Sequence, residues 1–185
     1  MATAPKPLDY AAYLKTPETM RRYDIVDGAM IFMSPSPDAP NQETSGEIYT
    51  LLKRHVERHR SGEVYYAPLD VFISKSPLCA RQPDVLYISN SRLGLIDGPI
   101  HGGPDLVVEI LSPGNGPAQV QQKLRDYAAA GVREAWLLDR NRKTITVLHP
   151  VKGEFRETAV FGVTQRLRSK VLPRLALPVR KVFAP

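Results

Sequence analysis

Asp84, Glu109 and Lys123 are the side chains of this 185-residue chain with the chemistry of a metal-assisted site. Glu109 interrupts the apolar run "DLVVEIL" (105–111), where a carboxylate is costly to bury unless something pairs with it. Asp84 opens the apolar run "DVLYIS" directly after Pro83, 25 residues before Glu109. Two carboxylates held close repel unless a proton or a cation lies between them. Hard oxygen donors with room for water suit Mg2+ or Mn2+. Such an ion lowers the pKa of a bound water and neutralises a phosphoryl oxygen. A nearby ammonium can orient that water or stabilise charge on the scissile phosphate. The set therefore points to phosphodiester cleavage. The same three residues also admit a plainer arrangement, with Asp84 capping a turn and Glu109 and Lys123 forming a buried ion pair.

The spacing of apolar residues says which elements would carry them. Pro117 to Ala130 reads as a helix, with Pro117 in its first turn and Gly131 at the position after its end. Val120, Leu124, Tyr127 and Ala128 form its apolar stripe, and Lys123 lies on or beside that stripe. The helix thus aims an amine at the sheet that contains Glu109. A lysine that buries its stem and keeps its head in water would give the same pattern. "DLVVEIL" is too apolar to be half exposed and reads as a central strand.

Around these lie a short helix at Leu8–Leu14 and a hairpin in "YDIVDGAMIFM", turning at Asp27-Gly28. A loop, "SPSPDAPN", comes next, then an amphipathic helix from Gln42 to about Arg60, ended near Gly62. "VYYAPLDVFI", "DVLYIS", "EAWLLD" and "KTITVLH" read as strands, with "GEFRETAVF" as an edge strand. The expected fold is one α/β (α+β) domain over 1–185, a mixed central sheet flanked by helices with an N-terminal β-hairpin.

Composition narrows the class. Hydrophobic residues make up 43% and charged residues 24%, as in an ordinary globular protein. No apolar run approaches the ~20 residues of a membrane helix. The N-terminus lacks the apolar core of a secretory leader, so the expected location is the cytoplasm. Cys79 is the single cysteine, which excludes an internal disulfide and a thiolate metal cluster. Net charge is +6, and all of it resides after Pro150, where eight Lys or Arg face Glu154 and Glu157. A basic C-terminal segment fits a polyanion partner or serves solubility.

Other motifs carry less. "HVERH" sets His55 and His59 four apart on one helical face, but Glu57 is out of place for H-E-x-x-H and the flanks read as a solvated basic face. Ser112 lacks a nucleophile elbow. Trp136 alternates with Leu138 and reads as core.

Five segments in order, "YDIVDGAMIFMSPSP", "QPDVLYIS", "GPDLVVEILSPGN", "KLRDYAAAGVREAWLLD" and "VLPRLALPVRKVF", resemble the Uma-type restriction endonuclease family of the PD-(D/E)xK nuclease superfamily. The resemblance runs from about Leu8 to Phe183. It implies a restriction-endonuclease-like fold and a divalent metal, usually Mg2+, held by Asp84 and Glu109. The superfamily's usual lysine would fall at Leu111, and the lysine on the following helix that replaces it in Uma-type sequences matches Lys123. The chain departs from the family at Asn41, where a His is common, at "SPGN", and at Gln119, where an Asp is common. Asn and Gln hydrogen-bond but cannot take a proton as His and Asp do. Asp139 matches a family Asp and reads as a turn or support residue.

Three functions remain open on the sequence. One is a Mg2+- or Mn2+-dependent DNA endonuclease, with a homodimer as one route to cutting both strands. Another is a nuclease-fold module that has lost catalysis and binds nucleic acid or a partner protein. The last is an enzyme acting on RNA or another phosphodiester.

Overall fold

The structure, a computed structural model, describes residues 7–17, 19, 21–33, 38–112 and 116–183. Much of "SPSPDAPN" and of "SPGN" therefore lies outside the described residues.

Asp9 caps a one-turn helix, α1 (Tyr10–Tyr13), by accepting from Ala12 N at 2.8 Å. The hairpin follows as β1 (Tyr23–Val26) and β2 (Ala29–Phe32). Asp27 and Gly28 both take positive φ, 49° and 76°, the primed turn whose twist matches the strands it joins. The long helix α2 (Ala39–His59) starts earlier than its apolar period indicates, because Asp38 caps it through Asn41 N at 2.9 Å and Pro40 suits the first turn.

This helix ends where its apolar period indicates, with Arg60 as its left-handed C-cap. Gly62 serves a different purpose. It opens β3 (Gly62–Tyr66) at φ 151°, and a Cβ there would stand 2.0 Å from the Ile88 carbonyl oxygen. Backbone cannot yield as a flexible side chain does. Gly62→Ala should therefore cost at least ~3 kcal/mol, read as a lowered urea midpoint with an unchanged slope.

The run "VYYAPLDVFI" is two strands in two sheets. It divides after Tyr66, and Ala67 N turns to the Asp84 carbonyl at 3.1 Å. The second half is β4 (Val71–Lys75), followed by β5 (Leu78–Arg81), β6 (Val85–Ser89) and the two-residue β7 (Ile100–His101). Then come β8 (Leu106–Leu111), α3 (Pro117–Ala130), β9 (Glu134–Asp139), β10 (Thr144–Val151), β11 (Glu154–Gly162), β12 (Arg166–Leu167) and β13 (Leu177–Pro178).

The larger sheet has the order β11-β10-β9-β8-β6-β3 and is mixed: β8 and β9 are parallel, joined by the crossover helix α3, and the other pairs are antiparallel. "DLVVEIL" is central, as expected, and β11 is an edge. A second sheet, β2-β1-β5-β4-β7, holds the hairpin. The expected single sheet is thus divided: β5 pairs with β1 of the hairpin to build the second sheet, and β12 and β13 form a separate two-stranded ladder.

Alternation along β8 divides the core. Val108 and Ile110 face α2 with Ile48, Leu52, Val85 and Trp136, all buried. Val107 faces α3 with Leu124, Tyr127 and Ala135, and Ile73 of β4 joins it from the second sheet. The C-terminal segment is no free tail. Leu167, Leu172, Leu177, Val179 and Val182 are buried on the α2 side, while its basic side chains are exposed. Buried Glu134 accepts from Trp136 Nε1 at 2.7 Å, His149 Nε2 at 2.9 Å and Lys170 N at 2.8 Å, tying this segment to the sheet.

Candidate active site

Two strand ends and one helix set the geometry. β6 and β8 pair Val85 with Val108, so one step further along the antiparallel register sets Asp84 opposite Glu109. Ile110 N donates to Asp84 Oδ2 at 2.7 Å, which fixes the two carboxylates on neighbouring strands. Glu109 is two residues from Val107 and therefore points to the α3 side. There Lys123 Nζ meets Glu109 Oε2 at 2.8 Å, and the Tyr127 hydroxyl donates to Glu109 Oε1 at 2.5 Å. The Lys123 side chain is 13% exposed, and its head is turned to Glu109. Asp84, Glu109 and Lys123 are brought together.

The sequence reading missed the residues that complete this cluster. Arg22, just before β1, donates from Nη1 to Asp84 Oδ1 at 2.6 Å and from Nη2 to the Gln82 carbonyl at 2.7 Å. Its buried Nε has no acceptor among the described residues, a state that costs roughly 1–3 kcal/mol. Asp24 of β1 lies 3.9 Å from Lys123 Nζ and 2.9 Å from Arg81 Nη1. Arg81 also bonds Asp126 of α3, at 2.8 Å and 2.5 Å. Gln82 ties the hairpin to the start of β4: its N–H donates to Asp24 Oδ1 at 3.2 Å, and its side-chain amide donates to Asp70 at 2.9 Å. Tyr13 and Tyr23 donate to the same Asp70 carboxylate, the latter at 2.8 Å. The one available signal was the hairpin's own "RRYD", two basic residues and an acid flanking a tyrosine otherwise read as strand.

Of the three expected support residues, Gln119 and Asp139 make local side-chain bonds, and Asn41 is placed by its backbone. Asn41 N is part of the α2 cap. The Gln119 side chain accepts from Gly116 N at 3.2 Å, closing the first turn of α3. Asp139 accepts from Arg142 N at 2.9 Å in the β9–β10 turn. His59 Nδ1 bonds the His55 carbonyl at 2.8 Å and His55 Nε2 bonds the Pro173 carbonyl at 3.1 Å, and no cluster of three or more potential ligands occurs among the described residues.

The cluster's charges do not cancel. Four carboxylates (Asp24, Asp84, Glu109, Asp126) face three cations (Arg22, Arg81, Lys123). Burial pushes the Glu109 carboxyl above its ordinary value and Asp84 adds to this, while Lys123 only partly offsets it. Burial works against the Lys123 ammonium, yet Glu109 and then Asp24 raise it above its ordinary value. Burial and Glu109 hold the Tyr127 hydroxyl far above its usual range, so it stays a donor.

Two hard carboxylates in a cluster with unbalanced negative charge fit a divalent cation, which would relieve the repulsion between Asp84 and Glu109. The chain offers two such ligands rather than a full set, which suits an ion that keeps several waters.

Among the described residues, no helix is long and apolar enough to cross a membrane. No curated protein matches the chain. A solved structure titled "a putative nuclease belonging to DUF820 from Anabaena variabilis ATCC 29413" is similar to it, with TM-score 0.79 and 22% identity over 96% of this chain and 98% of that one. That likeness establishes the fold. The family model Uma2, described as "Putative restriction endonuclease", matches residues 10–180, and the chain belongs to that family.

Proposed function

We propose that this protein is a metal-dependent endonuclease that hydrolyses DNA phosphodiester bonds, with Asp84 and Glu109 holding Mg2+ or Mn2+. The observation that carries this reading is the Lys123–Glu109 contact at 2.8 Å beside Asp84, in a cluster with surplus negative charge. Family membership supports a nuclease. When bound, the cation supplies an acidified water and neutralises charge on the phosphoryl oxygen.

The chain's own residues do the rest. Asp84 is held by Ile110 N so that one oxygen stays fixed. Tyr127 and Lys123 orient Glu109 from both sides, and a carboxylate so held keeps its geometry at no further entropic cost. Lys123 remains protonated and positions the attacking water or stabilises charge developing on the phosphate. Cutting both strands fits a homodimer acting in the cytoplasm.

The test is cutting of supercoiled plasmid by the purified full chain. Nicking or linearisation in Mg2+ or Mn2+ that EDTA abolishes is the expected result, together with Mn2+ binding heat. That heat should weaken as pH falls, because the proton that raised Glu109 retains competes with the metal. No cutting and no heat would end this reading.

A second reading is a catalytically weakened nuclease-fold module that binds nucleic acid or a partner protein. What favours it is that the Gln119 side chain is committed to its helix cap and Asp139 to a turn, leaving the supporting shell thin. DNA binding retained without Mn2+ heat would select it.

A further inference from the structure

We propose that Arg22 is a phosphate-binding residue of this site, held in reserve on Asp84 until a cation takes that carboxylate. The inference rests on the reading of Asp84 as a metal ligand.

Three features of Arg22 carry it. Its Nη1 sits 2.6 Å from Asp84 Oδ1, where it serves as the counter-ion to a carboxylate that also repels Glu109. A cation that binds the Asp84 carboxylate takes over this role and repels the guanidinium. Its Nη2 bond to the Gln82 carbonyl, 2.7 Å, does not depend on Asp84, so Arg22 stays tethered at the site after letting go. Finally, Nε is buried without an acceptor among the described residues. A guanidinium presents five donors in a planar fork, and a phosphate presents several acceptor oxygens that match it.

The hairpin itself need not move. Tyr23 N and Asp24 both bond Gln82, at 3.3 Å and 3.2 Å, so the backbone next to Arg22 is anchored and only its side chain has to turn. Arg22 thus balances Asp84 in the metal-free protein and grips the phosphate in the complex. The same exchange couples metal and nucleic acid: each favours the state in which Arg22 has left Asp84.

The test uses the full chain and a short fluorescent duplex DNA, with affinity measured in EDTA. Asp84→Asn releases Arg22 without any metal and should tighten binding about tenfold. Arg22→Gln alone should give no gain in EDTA. The double variant should lose the gain, while Arg22→Lys with Asp84→Asn keeps part of it. An equal gain with and without Arg22 would reduce the effect to the loss of one negative charge and overturn the proposal. So would the absence of DNA binding in every variant.

With Ca2+ present, Arg22→Gln should weaken DNA binding about tenfold. Its Mn2+ binding heat should show tighter affinity than wild type, since the competitor for Asp84 is gone. Weaker Mn2+ binding would instead make Arg22 a support of the site. In Asp84→Asn the new amide oxygen can still accept from Ile110 N, and circular dichroism melts check that each variant folds. Wild type that neither cuts nor binds Mn2+ would end the endonuclease reading, while the EDTA series would still judge Arg22.

Discussion

Glu109→Gln should abolish plasmid cutting while leaving the protein folded. The substitution keeps the shape of the side chain and removes its charge. A glutamine oxygen can still accept from Lys123, and the Tyr127 hydroxyl can rotate to suit the other end of the amide. Lys123 retains Asp24 at 3.9 Å as a counter-charge, so it is not left uncompensated. Chemistry fares differently, because a neutral amide is a poor ligand for a hard divalent cation. The expected loss of rate is at least ~10²-fold, the scale of losing one preorganised electrostatic group. The melting midpoint in EDTA should stay close to wild type, and the midpoint increase caused by Mn2+ should vanish, since only binding to the folded state produces it. Equal cutting by wild type and variant would mean that the activity belongs to a contaminant or to other residues.

Arg81→Met should be among the most destabilising single changes in the chain. Arg81 is 4% exposed and answers two carboxylates, Asp24 on the hairpin and Asp126 on α3. These bonds join the second sheet to the helix that lies on the first. Its guanidinium is raised above its ordinary value, because those two carboxylates together outweigh burial. Methionine fills comparable space but strands two charges in a poorly hydrated region. Removing one partner of a buried ion pair costs about 3–5 kcal/mol. Urea unfolding should report a loss on that scale, and adding Asp24→Asn and Asp126→Asn to the variant should restore part of it. A loss below ~1 kcal/mol would mean that water reaches these groups and screens them.

Local periodicity made a good part of the molecule readable. Helix α3 runs over the residues its apolar stripe, Pro117 and Gly131 delimit. The burial of "DLVVEIL" on both faces follows from an apolar run that only Glu109 interrupts, and Trp136 is fully buried. A period of 3.6 places Lys123 beside Leu124 and Tyr127, and a period of 2 places Glu109 on the same side as Val107. These two local periods bring an amine and a carboxylate to one interface. The segment "VYYAPLDVFI" shows the limit: both halves have strand-forming residues, and only pairing partners elsewhere assign them to different sheets.

By itself, then, the amino-acid sequence determined α3, the central strand and the inward side of Glu109 and Lys123, because side-chain direction repeats over a few residues. The tertiary structure alone decided the company those residues keep. Arg22 reaches Asp84 across 62 positions, Arg81 reaches Asp24 across 57 and Asp126 across 45. The basic C-terminal segment packs against the core instead of trailing free. Charge compensation acts through space over a few ångströms, and no local period encodes which distant strand will supply the counter-ion.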